Sequence, residues 1–459
     1  MDWQPAQLIP AGGSHAQYVE WWYDWGDNGD CGAEATYELV GSPVPSSFTL
    51  QARQHNGKNI RVQYHDQLIS LGSPENSLID LGFDWDGAVQ FVLAGDGTMP
   101  YVGTNPPVTW MQATLPTIGD KSLREITMPL SHDAGMSEIR DPLQFSGVQH
   151  NVCTQTGTVG QQLIYGARWF DIRPFKRNGS WFTGHFSQTL GNIYAGGTGR
   201  SIDNIIRDIN TFTSQNPGEL IVLELTHELI FDKSQPLGSQ WAGAFKDSDW
   251  LALYDKLAGI NDLWTISDDT FEGLPSDLTA VLISTFIQPG SKSAVLIRIP
   301  DSAPLATGPQ AHAFIHESRL AWTGAYSNTN DPTFLSLDQL AKLASNRPFS
   351  SSPRDHPPLR STWTITQKGL QVTDVATEST SIIGLANVAQ RRLIGDLWGA
   401  LSVNSYPNLI EVDNVHNSQI AGMCVAINER YAKKGVVKKE NVVLGRVGRV
   451  MRRERGWMR

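Results

Sequence analysis

Leu220-Ile221-Val222-Leu223-Glu224-Leu225 decides how this chain is read. A run this short, apolar at both alternating sets of positions, describes a strand covered on both faces, as in a parallel sheet flanked by helices. Just upstream, residues 201–214 place Ile202, Ile205, Ile206 and Ile209 at helical spacing, which predicts an amphipathic helix leading into that strand. Working outward, similar runs alternate with helical stretches. Residues 126–130, 168–175 and 181–186 come before it, and 294–299, 311–315, 362–366 and 408–412 after it. Residues 332–344 and 383–401 are the other clear amphipathic helices. Eight strand-like runs with helical crossovers predict an α/β fold, a TIM-type (β/α)8 barrel spanning 116–430.

The residues before it read differently. Short strands at 35–40, 47–52, 59–64 and 88–93 are punctuated by His55-Asn56-Gly57-Lys58 and Gly95-Asp96-Gly97. They predict a small all-β, sandwich-like domain over 1–115. Thr104-Asn105-Pro106-Pro107 reads as its exit linker, and 350–358 as a Pro/Ser-rich loop within the barrel. Residues 431–459 form a basic C-terminal tail with ten Lys or Arg against two Glu, in a chain of net charge −10. The remainder therefore carries about −18, and an acidic body argues against a nucleic-acid partner. The tail reads as a solvated terminus or as a contact for anionic membrane.

Composition narrows the classes. The 459 residues, 40% hydrophobic, supply enough apolar material for buried cores and exclude global disorder. No apolar run is long enough to span a bilayer, and the start lacks a basic-then-apolar leader. A cytoplasmic or peripheral-membrane location is the expectation. Cys31, Cys153 and Cys424 are far apart and odd in number, so neither a disulfide framework nor structural zinc is expected.

Barrel enzymes carry their chemistry at the C-terminal ends of strands. His132, Asp133, Asp171, Arg173, His185, Glu224 and Asp413 all fall at or near such ends. Taken singly, each has a plain reading: a strand-end His is usually a polar rim residue, and Asp171-Ile-Arg173 is equally a structural ion pair. Glu224 inside an apolar strand is harder to dismiss, because an unpaired buried carboxylate costs several kcal/mol. Together they suit displacement at phosphorus. One His takes a proton from an attacking hydroxyl and the other protonates the leaving oxygen. Carboxylates hold each imidazole, and an Arg grips the phosphate oxygens. A carboxylate cluster holding a divalent metal is the alternative.

The same residues carry a resemblance. Ile126-Thr-Met-Pro-Leu-Ser-His132-Asp133-Ala-Gly135 resembles the first barrel strand of the phosphatidylinositol-specific phospholipase C X-domain family. Tyr165-Gly-Ala-Arg-Trp-Phe-Asp171-Ile-Arg173-Pro resembles its second-strand motif, Thr183-Gly-His185 its third-strand histidine, and 216–228 its fourth strand with the lead-in. The resemblance covers about 115–430 and is densest in the first hundred residues of that span. It implies His132 as general base on the inositol 2-hydroxyl and His185 as general acid on the glycerol oxygen. It further implies Asp133 as partner of His185, Asp413 as the residue orienting His132, and Arg173 as the phosphate contact. Arg173 points to the bacterial, metal-independent branch, with no cofactor and Ca2+ disfavoured. Arg298 and Tyr326 are head-group candidates, with Asp171 and Glu224 beside them as further substrate-binding candidates.

The expected function is therefore a phosphoric diester hydrolase of the phospholipase C type. It would act on a phosphatidylinositol-like phospholipid at a membrane surface, through a cyclic phosphate. The rivals are a catalytically silent lipid- or glycan-binding barrel and a metal-dependent phosphodiesterase using Asp171 and Glu224. Trp21-Trp22-Tyr23-Asp24-Trp25 reads as sandwich packing or as an aromatic surface. Asp24, Asp27, Asn28 and Asp30 miss EF-hand spacing. Asn178-Gly-Ser180 matches a glycosylation acceptor, a triplet that chance often supplies.

Overall fold

The computed structural model describes residues 8–10, 13–16, 19, 31–54, 58–82, 89–95, 100–142, 147–190, 193–231, 242–308, 311–368, 371, 377–416, 418–432 and 443–448. The aromatic patch at 21–25, the acidic loop at 24–30, and residues 433–442 and 449–459 of the basic tail lie outside them.

In the first region β1 (Cys31–Val40), β2 (Ser46–Gln54), β3 (Lys58–Asp66) and β4 (Leu78–Gly82) form an antiparallel meander. Its alternation is clear along β1, where Ala35, Tyr37 and Leu39 are buried while Glu38 and Val40 are exposed. Phe48, Val62, Tyr64, Ile79 and Leu81 complete that apolar face. The expected strand at 88–93 shrinks to the two-residue pair Leu93–Ala94 with Val102–Gly103, and β4 was not anticipated. Among the described residues this is one main sheet plus a small ladder, rather than two comparable sheets.

The larger sheet has seven strands, all parallel. They are β5 (Met128–Ser131), β6 (Trp169–Ile172), β10 (Leu220–Leu225), β11 (Ala294–Ile299), β12 (Phe314–His316), β13 (Arg360–Trp363) and β14 (Leu409–Val412). Their lateral order follows the chain, with β12 and β13 at the two ends. The sheet curls strongly: Arg360 on end strand β13 bonds Glu224 on β10, four places along. A single parallel bridge, Thr323 to Leu359, spans the gap between the ends.

The eighth expected strand is not in this sheet. After β6, β7 (Pro174–Arg177), β8 (Ser180–Leu190) and β9 (Ile193–Ser201) leave the parallel ladder and pair antiparallel with one another. Residues 181–186, expected as a barrel strand, therefore belong to β8. Asn178 and Gly179, at φ of 53° and 76°, make the two-residue turn that folds β8 back on β7. The Asn178 triplet is thus a hairpin turn.

Helices follow their apolar stripes. Ile202–Gln215 is capped by the Ser201 hydroxyl, which accepts from Asn204 N–H, and it buries Ile202, Ile205, Ile209 and Phe212. Pro332–Asn346 is capped by Asp331. The expected helix at 383–401 is regular only over Ile382–Arg392 and then widens into a π-turn at Leu393–Leu397. The outer face of the curled sheet, with Phe170, Ile221, Leu223, Val295, Ile297, Ile410 and Val412, packs on these helices in one apolar cluster. The inner face begins with Met128, Leu130, Trp169, Leu220, Val222, Leu296 and Leu409, which share a second cluster with the helix Trp110–Ile118. That helix, with Ala426, closes the N-terminal end of the sheet. The linker is held by paired bonds between Asn105 and Gln419. Finally β15 (Val443–Gly448) returns to pair antiparallel with β1.

Candidate active site

Strand register assembles the site. Asp171 pairs with Glu224 and Glu224 with Arg298, while Val412 pairs with Ser131. Residues two apart share a face. The step beyond Leu130, Trp169, Val222 and Leu296 therefore brings His132, Asp171, Glu224 and Arg298 inward, with Asp413 beside His132. The inner face is apolar at its N-terminal end and charged at its C-terminal end.

His132 donates its backbone N–H to Val412 O, and its Nδ1 lies 2.6 Å from Asp413 Oδ1. Its Nε2 lies 2.7 Å from Arg173 Nη2. A guanidinium only donates, so Nε2 accepts; Nδ1 then carries the hydrogen and gives it to Asp413. Burial disfavours the imidazolium, as does Arg173, but Asp413 and Glu411 outweigh them and hold the His132 pKa above its usual value. Gln155 braces both sides: its Nε2 donates to His132 O and its Oε1 accepts from Val415 N–H.

Arg173 is the hub. Beyond His132 it donates from Nε to Asp171 Oδ2 at 3.1 Å, and its Nη1 lies 3.3 Å from Asp133 Oδ2. Burial would lower its pKa, but Asp133 and Asp171 keep it charged. Asp171 is fixed by the Asp133 N–H and the Thr226 hydroxyl as well. Burial alone would raise the Asp171 pKa; Arg173 and His132 hold it well below the carboxylate range.

Asp133 has a left-handed backbone, with φ of 40°. Such strain persists where neighbours over-determine it. Here its N–H is taken by Asp171, and its carbonyl accepts from Thr154 Oγ1 and from Met136 N–H. Gly135 follows, where a Cβ would stand 2.2 Å from Thr183 Oγ1. Only glycine lets this loop lie against β8, and that contact brings His185 to the mouth.

His185 lies 3.5 Å by Nδ1 from Asp133 Oδ2, outside hydrogen-bond geometry; the Nδ1 hydrogen goes instead to Val152 O at 3.0 Å. The implied Asp133–His185 pair is close, but it is not a hydrogen bond. Both Asp133 oxygens are buried without a hydrogen-bond partner. Burial pushes the Asp133 carboxyl up to about 7, against the pull of Arg173. Burial, reinforced by Arg173 and His132, pushes the His185 imidazole down to about 3.

Glu224 and Arg298 form the floor. Glu224 Oε2 accepts from Trp169 Nε1, and Oε1 accepts from Arg298, Trp322 and Arg360. Arg298 also donates to Leu320 O and Glu317. Both side chains are buried and engaged, so they support the site from beneath. Tyr326 is 39% exposed, donates to Glu411 Oε1, and sets its ring 5.5 Å edge-on from that of His132. Glu411 and Arg360, which bond each other, Thr362 and Tyr326, were not picked from the sequence. Glu411 in Leu409-Ile-Glu-Val412 carries the same signal as Glu224, a carboxylate inside a buried strand.

Among the described residues one donor set could hold a metal ion: His132, Asp171 and Glu411 place one atom each within 4.8 Å of one another. Glu224 is not among them. The Arg173 guanidinium already bonds His132 and Asp171, and Arg360, Tyr326 and Thr362 take up Glu411. An entering cation would have to displace these partners.

No protein-family model matches the chain. Among curated proteins it is similar to a PI-PLC X-box domain-containing protein of Dictyostelium discoideum, 24% identical over 139 residues, or 28% of this chain and 18% of that protein. The chain thus spans less than a fifth of the length of the curated relative it matches. Among solved structures it is similar to a mutant phosphatidylinositol-specific phospholipase C from Staphylococcus aureus, at 15% identity and TM-score 0.45, covering 69% of this chain and 97% of that one. A second is the phosphatidylinositol-specific phospholipase C from Listeria monocytogenes, at 14% identity and TM-score 0.43, covering 70% and 98%. The X-box match bears out the resemblance to the X-domain family read from the motifs. No helix among the described residues is long and apolar enough to cross a membrane.

Proposed function

We propose that this chain is a phosphoric diester hydrolase of the phospholipase C type, acting without a metal on a phosphatidylinositol-like phospholipid at a membrane surface. The observation that carries this reading is the bond from Arg173 to the Nε2 of His132, with Asp413 on Nδ1. It supplies a neutral base with its tautomer set and a permanent cation in reach of the same oxygen.

In this reading a phosphodiester draws Arg173 onto its non-bridging oxygens, and the head-group hydroxyl replaces Arg173 at His132 Nε2. His132 takes the hydroxyl proton as that oxygen attacks phosphorus. The bond from phosphorus to the glycerol oxygen breaks, and His185 delivers a proton to the departing oxygen. The products are a cyclic phosphate and diacylglycerol. The same phosphate explains how His185 acquires its proton. Neutralising Arg173 removes a charge that holds the imidazole deprotonated, and the Asp171 carboxylate favours the cation.

The test is phosphorus NMR of the protein incubated with phosphatidylinositol vesicles, with and without chelator. Inositol 1,2-cyclic phosphate at equal rates in both supports the reading. Loss of product in chelator would favour the metal-dependent rival at His132, Asp171 and Glu411, and no product in either would favour a silent lipid-binding protein.

A further inference from the structure

A third histidine stands at the same mouth and has no part in the steps above. His227 follows β10 by two residues and has a left-handed backbone, with φ of 50°. That conformation is uncommon for a residue with a side chain and gathers at functional sites. The preceding Thr226 is anchored: its N–H donates to Ile172 O at 3.0 Å, and its hydroxyl donates to Asp171 Oδ1 at 2.5 Å.

The Thr226 hydroxyl has one hydrogen, and Asp171 takes it. The contact from His227 Nδ1 to Thr226 Oγ1, at 3.0 Å, must therefore run the other way, with Nδ1–H as donor. In the neutral ring Nε2 is then a bare acceptor on an exposed side chain. Although the ring reaches solvent, the protein packed around its base and the Arg173 charge both disfavour the imidazolium here. A relay, Arg173 to Asp171 to Thr226 to His227, thus ties the phosphate-gripping cation to a lone pair of fixed tautomer.

A bare acceptor rewards a hydrogen-bond donor. Phosphate oxygens and quaternary ammonium groups offer none, and the Arg173 guanidinium, with Arg360 beyond it, opposes a primary ammonium here against the pull of Asp171. A hydroxyl is what remains. We infer that His227 is a specificity-determining residue, its Nε2 accepting a hydrogen bond from a hydroxyl of a polyol head group other than the one that attacks phosphorus. The inference rests on the phosphodiesterase reading and names a contact that reading does not require.

The test compares two soluble 4-nitrophenyl phosphodiesters. One is the myo-inositol 1-ester. The other is the 2-hydroxypropyl ester, which has the attacking hydroxyl alone. Glycine adopts φ of 50° freely, so His227→Gly removes the ring and keeps the turn. Asparagine tolerates the same turn and retains an acceptor. For the inositol ester, His227→Gly is expected to raise KM about three- to tenfold with kcat near wild type, the scale of one lost hydrogen bond. His227→Asn recovers part of that loss, and the hydroxypropyl ester is unaffected by either change. Equal changes on both esters, or none on either, in the presence of wild-type turnover would overturn the assignment. A wild-type protein that turns over neither ester overturns the mechanism, and this role with it.

Discussion

The two histidines proposed as base and acid occupy unlike surroundings. His132 grows from the end of a parallel strand, is hydrogen-bonded at backbone and at both ring nitrogens, and has a carboxylate at 2.6 Å. His185 rides on an antiparallel hairpin beside that sheet, with a carbonyl on Nδ1 and a carboxylate only at 3.5 Å. In the proposed roles the base is organised before substrate arrives, whereas the acid is held deprotonated and would depend on substrate for its charge. A base must offer a lone pair to the first molecule that binds. An acid held neutral until phosphate arrives does not burden the empty site with another buried cation.

The sharpest way to break this contrast is to remove the base. His132→Ala is expected to cut turnover by roughly 10²–10⁴ for every leaving group while leaving the protein folded, as circular dichroism would show. Near-wild-type rates would dismiss His132 as the base. The orienting carboxylates come next. Asp413→Asn should cost about 10² or more, because Asn no longer selects the tautomer. Asp133→Asn should cost less than about tenfold, since burial raises that carboxyl to about 7 and Asn mimics its protonated form. Steady-state kcat for the two variants decides it, and equal losses would erase the contrast.

Stability gives a further test. The Asp133 pKa rises on folding from 3.8 to about 7, so the folded state binds the proton more tightly. Its stabilising effect is complete below about pH 4 and is lost as pH rises to 7. Asp133→Asn should therefore be more stable than wild type at pH 8, by up to about 4 kcal/mol, with no difference below pH 4. Urea melts at the two pH values measure this; a gap that widens toward acid would have the wrong sign. The smallest effect is expected at the brace: Gln155→Ala breaks its bonds to His132 O and Val415 N–H. It should lower stability by about 1–3 kcal/mol, read from the same melts.

The same contrast bears on what was legible beforehand. His132, Asp133, Asp171, Arg173 and Asp413 were readable because parallel strands announce themselves as short apolar runs and place chemistry at their C-terminal ends. His185 was located through its motif, but its strand was misassigned. Residues 181–186 read as one more barrel strand, although Asn178-Gly179 is a strong hairpin signal directly before them. In the first region three of the four meander strands were visible between their turns, while β4 was missed and a sandwich was expected. The partner β15 was not, because pairing across some four hundred residues leaves no local pattern. Glu224 was noticed as a carboxylate inside an apolar strand and Arg298 as a head-group candidate, yet what makes a buried charge tolerable is its partners. Arg360, Trp322 and Glu317 come from other strands and loops and cannot be paired by spacing alone.

The division of labour is tested most directly by plotting log kcat against leaving-group pKa for inositol phosphodiesters, for wild type, His132→Ala and His185→Ala. The account predicts a shallow line for wild type and a uniformly lowered one for His132→Ala. For His185→Ala it predicts a steep line that approaches wild type at the 4-nitrophenyl ester, whose leaving group needs no proton. Parallel lines for the two variants would contradict it, because His185 would then not be the residue that protonates the departing oxygen.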